Sequence, residues 1–130
     1  MIVLDASVVV ELLTNGALAD SLRRDLAAGR DSFIVPHLLD VEVASALRKL
    51  VAGQRIDSHR SEEFLTELEL LPAERYSHIP LLRHIWELRH NFTAYDAAYI
   101  ALAEATNSVL YTSDEKLCKG HHARVVLFTQ

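Results

Sequence analysis

The chain has 130 residues, 50% of them hydrophobic and 24% charged, with a formal net charge of −5 and only 4 glycines and 3 prolines. That is the length of one ordinary domain, able to bury roughly two thirds of its unfolded surface, and the composition excludes a disordered or low-complexity chain. The acidic balance excludes a sequence-blind nucleic-acid binder with a broad basic face, and the lone Cys118 excludes an internal disulfide or a cysteine-rich zinc site.

Met1–Leu4 is a short apolar run with β-branched members that predicts a first strand, and the abrupt Asp5 converts it into a helix through SVVVELL. Leu18, Leu22 and Leu26 recur at helical spacing in the next segment, and Gly29 stops that helix. Ser32–Val35 predicts a second strand ended by Pro36, followed by a long helix from Leu38 to Ala52 that Gly53 terminates. Asp57 or Ser58 caps a further helix with Phe64, Leu65, Leu68 and Leu71 as its apolar stripe and Pro72 as its end. A short strand is predicted at Arg75–Ser77 and a helix at Ile79–His90 around Leu82, Ile85, Trp86 and Leu88. NFTAYDAAYIALAE, Asn91–Glu104, is a helix apolar almost all round. Ser108–Tyr111 then reads as a strand, DEKLC as a helical turn and Arg124–Phe128 as a last strand.

Short apolar strands alternating with amphipathic helices, without Asn-Gly or Asp-Gly hairpin signals, imply βαβ crossovers. The expected architecture is a single α/β domain over residues 1–130: a three-layer α/β/α sandwich around a mainly parallel sheet of four to five short strands. MIVLDAS carries no basic leader, and no stretch reaches the ~20 apolar residues of a membrane span, so a cytoplasmic protein is expected.

In such sheets ligands collect beyond the carboxyl ends of the strands, where strand order reverses. Asp5 directly follows the first strand, and Asp114 follows SVLY by only Thr112 and Ser113. Either can instead be an ordinary cap or first-turn acid. Glu42 falls at the margin of the apolar face of its helix, where a solvated glutamate has no reason to be; the bland alternative is a snorkelling acid paired with Arg48 or Lys49. Asp96 stands in a helix that should be buried, and a carboxylate there needs a partner. A capping box with Thr93 supplies one explanation. Asp40, early in its helix, is accounted for by the first-turn dipole.

If Asp5, Glu42, Asp96 and Asp114 converge, like charges ~5 Å apart repel by roughly 3 kcal/mol per pair at an effective dielectric of ~20. Protonation or divalent cations must relieve that repulsion. An all-oxygen set selects the hard ions Mg²⁺ or Mn²⁺, one or two of them, which suits hydrolysis of a phosphodiester. Ser7, Thr112 and Ser113 are candidate hydroxyl donors behind the acids, or else turn residues. No Gly-rich phosphate loop calls for a nucleotide cofactor. None of the 7 histidines forms a His-x-x-x-His pair, so surface or capping roles are expected for them, and core packing for Trp86, Tyr95 and Tyr99.

LDASVVVELL with Asp5, PHLLDVEVASALRKL with Glu42, TAYDAAYIALAE with Asp96 and YTSDEKL with Asp114 together resemble the PIN-domain family, specifically the VapC ribonuclease toxins of bacterial type II toxin–antitoxin pairs in their mycobacterial form. Each motif is weak alone; four in series over the whole chain are specific. The resemblance implies a PIN-like sandwich and a Mg²⁺- or Mn²⁺-dependent endoribonuclease that cuts structured RNA, tRNA or rRNA, and so inhibits translation. It implies Asp5 and Asp96 as principal metal ligands, Glu42 and Asp114 completing the pocket, and Asn91 at its border. It further implies a homodimer and a VapB antitoxin that blocks the site, with RNA held by clusters such as Arg23-Arg24, Arg48-Lys49 or Lys116-Lys119. A phosphatase or receiver is disfavoured, because Asp5-Ala6-Ser7 lacks a second aspartate and no lysine stands in place of Asp114. A catalytically silent antitoxin- or RNA-binding module is the alternative from another class.

Overall fold

A computed structural model describes all residues from Met1 to Gln130. In chain order the elements are β1 (Ile2–Leu4), α1 (Ala6–Thr14), α2 (Ala19–Ala28), β2 (Phe33–Pro36), α3 (Leu38–Ala52) and α4 (Ser58–Glu69). There follow β3 (Ala73–Tyr76), a 3₁₀ turn (Ile79–Leu81), α5 (Leu82–Glu87), α6 (Ala94–Thr106), β4 (Val109–Thr112), a second 3₁₀ turn (Glu115–Cys118) and β5 (Arg124–Leu127).

The five strands form one sheet in the order β3-β2-β1-β4-β5, and every pairing is parallel. The α/β/α expectation holds, with the sheet wholly rather than mainly parallel. The first strand is the central one: Ile2 pairs with Phe33 on one side and with Val109 on the other. Strand order therefore reverses at β1, and the crevice beyond the ends of β1 and β4 is the place such a sheet offers a ligand. α6, with α5 beside it, packs on β1, β2 and β4, while α1 packs against α2, α3 and α4.

α6 explains its own composition. Seven consecutive residues, Ala97 to Ala103, are buried, and the alanines among them let the helix approach the sheet closely. Asn107 ends α6 and Asn15 ends α1, both in the left-handed region at φ 52° and 51°, a conformation asparagine tolerates better than most residues.

Several boundaries differ from the sequence expectation. Pro36 is the last residue of β2 rather than its stop; β1 pairs with β2 only through Val3, so no ladder donor is required of Pro36. β3 begins two residues earlier than expected, at Ala73, and β4 one residue later, which brings Thr112 into the strand. The expected helix over 79–90 is a 3₁₀ turn plus the short α5, because Pro80 stands at its start and tight bonds such as Arg89 N–H to the Trp86 carbonyl wind its end into turns. Its buried stripe is Leu81 and Ile85. Trp86 is 67% exposed and Tyr95 61% exposed, so neither packs in the core as expected; only Tyr99 does.

Candidate active site

Asp5 is the residue at which β1 gives way to α1, and it is 4% exposed. Its Oδ1 accepts from the Val8 N–H at 3.2 Å and from the Ser7 hydroxyl at 2.5 Å; its Oδ2 accepts from the Thr112 hydroxyl at 2.5 Å. The cap alternative is thus real, yet it occupies one bond of three. Burial raises the pKa of Asp5, and the bonds from Ser7, Thr112 and Val8 oppose the rise. No arginine, lysine or histidine forms an ion pair with it.

Thr112, fully buried at the end of β4, serves both neighbours: while donating to Asp5 it accepts the Asp114 N–H at 3.0 Å. Ser113 takes part through its backbone, its N–H donating to the Ser7 hydroxyl at 3.0 Å. The Asp114 carboxylate caps the following 3₁₀ turn by accepting from the Lys116 N–H at 3.0 Å. Asp96 occupies the first turn of α6, where its N–H donates to the Thr93 hydroxyl at 3.2 Å. The reciprocal arm of a capping box, from the Thr93 N–H to the Asp96 carboxylate, is not made, and the Thr93 side chain is what the carboxylate meets at the cap. Partial burial raises the pKa of Asp96, and the charge of Asp114 adds to the rise against the pull of Lys116.

Glu42 pairs with neither Arg48 nor Lys49. Its Oε1 accepts from the Tyr99 hydroxyl of α6 at 2.6 Å. Burial pushes Tyr99 far above the ordinary tyrosine range, and the hydrogen bond to Glu42 and the charges of Glu42, Asp5 and Asp96 push it the same way. One hydroxyl therefore feels three of the four acids, and Asp96 feels the fourth. Asp5, Glu42 and Asp96 thus lie near the Tyr99 hydroxyl and Asp114 near Asp96, with Ser7 and Thr112 holding Asp5 from behind. Asn91, expected at the border of the pocket, makes no hydrogen bond to these groups; its side-chain nitrogen lies near Gly120, which adopts φ +92°.

No three of these side chains stand close enough to form a ready-made cage. Mg²⁺ retains several waters rather than demanding an all-protein shell. The donors fit a hard divalent ion on two counts: they are all oxygen, and the buried Asp5 has no cationic partner. No histidine side chain hydrogen-bonds or ion-pairs with these four acids. His84 pairs with Glu87 and Glu104, and His121 bonds to the Leu117 carbonyl.

Two roles were missed at the level of sequence. Asp40 does more than favour a helix dipole, since Arg75 grips it with Nη2 at 2.9 Å and Nε at 3.0 Å. Tyr99 was assigned to packing alone, although it follows Asp96 by one helical turn on the same face and a buried tyrosine hydroxyl needs a partner.

The PIN domain family model matches residues 2–121, a span that contains all four acids. Ribonuclease VapC9 of Mycobacterium tuberculosis is 43% identical over 117 residues, which cover 90% of this chain and 88% of the relative. Ribonuclease VapC12 of the same organism is 35% identical over 129 residues, 98% of each chain. Among solved structures, VapBC2 from Rickettsia felis bound to a DNA fragment from their promoter has a TM-score of 0.73 at 15% identity, covering 99% of this chain and 100% of that one. At that identity the likeness is one of fold.

Proposed function

The chain belongs to the PIN-domain family, and from that membership we propose that it is a Mg²⁺- or Mn²⁺-dependent endoribonuclease, the toxin of a VapBC-type pair. Its substrate is structured RNA, tRNA or rRNA, and its action inhibits translation. A VapB-type antitoxin neutralises it, as a VapB accompanies the Rickettsia toxin. Residues 1–130 act as one domain, in a homodimer, in the cytoplasm; no helix is long and apolar enough to cross a membrane.

One observation carries this reading: a buried aspartate at the strand-order reversal, hydrogen-bonded on both oxygens and lacking any counter-cation. Asp5 and Asp96 would hold one or two divalent ions, Asp114 would join them, and Glu42 would complete the pocket. Such an ion would neutralise the acids and supply Lewis-acid chemistry for phosphodiester hydrolysis, activating the phosphate and a water. The chain's own groups do the rest. Ser7 and Thr112 fix the Asp5 carboxylate, Thr112 ties Asp114 to the same hydroxyl, and α6 holds Asp96 rigidly. Lys116, whose charge reaches Asp96, is the basic residue best situated to meet RNA phosphate beside the site.

Calorimetric titration of Mn²⁺ and a gel assay of RNA cleavage test the proposal on Asp5→Asn and Asp96→Asn, with circular dichroism to establish that each variant folds. Both variants lose ion binding and cleavage; undiminished cleavage in either overturns the reading. A catalytically silent binding module is the alternative, and a folded wild-type protein that takes up no Mn²⁺ and cuts no RNA would favour it. Sequencing of RNA ends after brief expression then identifies the substrate.

A further inference from the structure

Glu42 belongs to α3 and the other acids belong to β1, α6 and the turn after β4, so something must set its position relative to theirs. Only one protein group donates a hydrogen bond to its carboxylate, the Tyr99 hydroxyl at 2.6 Å. Oε2 of Glu42 has no protein donor. Tyr99 is 2% exposed, and its ring lies in the continuous core with Ile100 and Leu102. A phenylalanine would fill that space equally well; the hydroxyl is what requires explanation.

The backbone makes the link rigid. Tyr99 and Asp96 are one turn apart on α6, a helix buried along seven consecutive residues, so the donor that aims Glu42 and the carboxylate of Asp96 move as one body. The hydroxyl can donate to only one oxygen, and so it leaves Oε2 without a protein donor.

We propose that Tyr99 is a positioning residue that ties Glu42 of α3 to Asp96 of α6 and so sets the spacing of the acid cluster that receives the divalent ion. This rests on the metal-dependent ribonuclease reading above. Outer partners that orient metal-binding carboxylates typically account for about 10–100-fold in affinity or activity, and Tyr99 acts on that scale through Glu42.

A double-mutant cycle of Tyr99→Phe and Glu42→Gln tests it, with Mn²⁺ affinity by calorimetry and kcat and KM for RNA cleavage as readouts. Tyr99→Phe weakens Mn²⁺ binding and lowers kcat by about tenfold with KM unchanged. The double variant is no worse than Glu42→Gln alone, because the amide that still accepts from the hydroxyl offers the ion no charge to aim. Mn²⁺ affinity and kcat within about twofold of wild type in a folded Tyr99→Phe protein, or additive losses in the double variant, overturn the proposal. Should Tyr99→Phe fail to fold, the hydroxyl proton of Tyr99 in the wild type is read by NMR: it shifts on addition of Mg²⁺, and an unmoved resonance overturns the proposal. If the wild type itself binds neither ion, the ribonuclease reading falls and this inference with it; if the wild type binds and cuts while Tyr99→Phe is unaffected, only this inference falls.

Discussion

Replacing Thr112 with valine keeps the shape of a fully buried side chain and removes one oxygen that makes two bonds. The bond donated to the Asp5 carboxylate is charge-assisted, and its loss costs about 1.5–3 kcal/mol. The Asp114 N–H loses its acceptor as well; water reaches that half-buried position, so its cost sits near the low end, about 1 kcal/mol. Valine's added methyl returns about 0.8 kcal/mol at most. The net destabilisation is about 2–3 kcal/mol, and at about 4 °C per kcal/mol for a domain of this size the melting temperature falls by about 8–12 °C. Thr112→Ser is the control, since it keeps the hydroxyl and loses one methyl at a cost of about 1 kcal/mol. Thermal and urea unfolding followed by circular dichroism measure both variants. If Thr112→Val loses no more stability than Thr112→Ser, the hydroxyl does not hold Asp5 and the account of the site's framework is wrong.

Other outcomes follow from the same geometry. Asp5→Asn retains a good helix cap and removes a buried charge, so in metal-free buffer its stability stays within about 1 kcal/mol of wild type. Mn²⁺ at about a hundred times its dissociation constant stabilises the wild type by about 2.7 kcal/mol and leaves Asp5→Asn unmoved, a difference that melting curves reveal. Both ring nitrogens of His84 face carboxylates, Glu104 at 2.5 Å and Glu87 at 3.3 Å, which only the imidazolium satisfies. Burial opposes that charge, but the bonds to Glu104 and Glu87 prevail and raise the His84 pKa above its ordinary 6.5. Its stabilisation is complete below pH 6.5 and disappears as pH rises through the raised folded value; urea unfolding between pH 6 and 9 shows this decline, and it is absent in His84→Gln. Arg75→Lys loses the two-pronged grip on Asp40 and the bonds to the Leu68, Leu71 and Ala73 carbonyls. Because the pair is partly solvated, the expected cost is about 1–2 kcal/mol by urea unfolding, and a loss below measurement error refutes the assignment.

The alternation of short apolar runs with amphipathic helices was enough to predict a parallel α/β/α sandwich, because it reports directly on which segments must be covered on both faces. The acids were legible for a related reason: Asp5 and Asp114 interrupt or follow strands, and Glu42 and Asp96 sit where apolar residues were due. What escaped was anything depending on a partner distant in sequence. Asp40 meets Arg75 35 residues away, and Glu42 meets Tyr99 57 residues away, so local patterning offered only a cap or a snorkelling acid. A one-residue shift in β4 was sufficient to present Thr112 as a turn residue instead of a fully buried strand end. The exposure of Trp86 was hidden because the short α5 gives too few residues to define which side is dry, and Tyr95 stands in the first turn of α6, ahead of its buried run from Ala97 to Ala103. Arg89 stacks over Trp86 with its guanidinium carbon 4.6 Å from the ring centroid, which keeps that indole partly covered at the surface.

The central position of β1 has a consequence for when the activity can arise. β1 is synthesised first, yet its β4 neighbour is Val109–Thr112, and the four acids are drawn from residue 5 to residue 114. No nascent or truncated fragment ending before the last acid can assemble the crevice. At about 5–20 residues per second a ribosome needs on the order of ten seconds to pass from Asp5 to Asp114. Throughout that interval the growing chain lacks its full set of acids, and a proteolytic cut ahead of β4 removes both Asp114 and the Thr112 hydroxyl that holds Asp5.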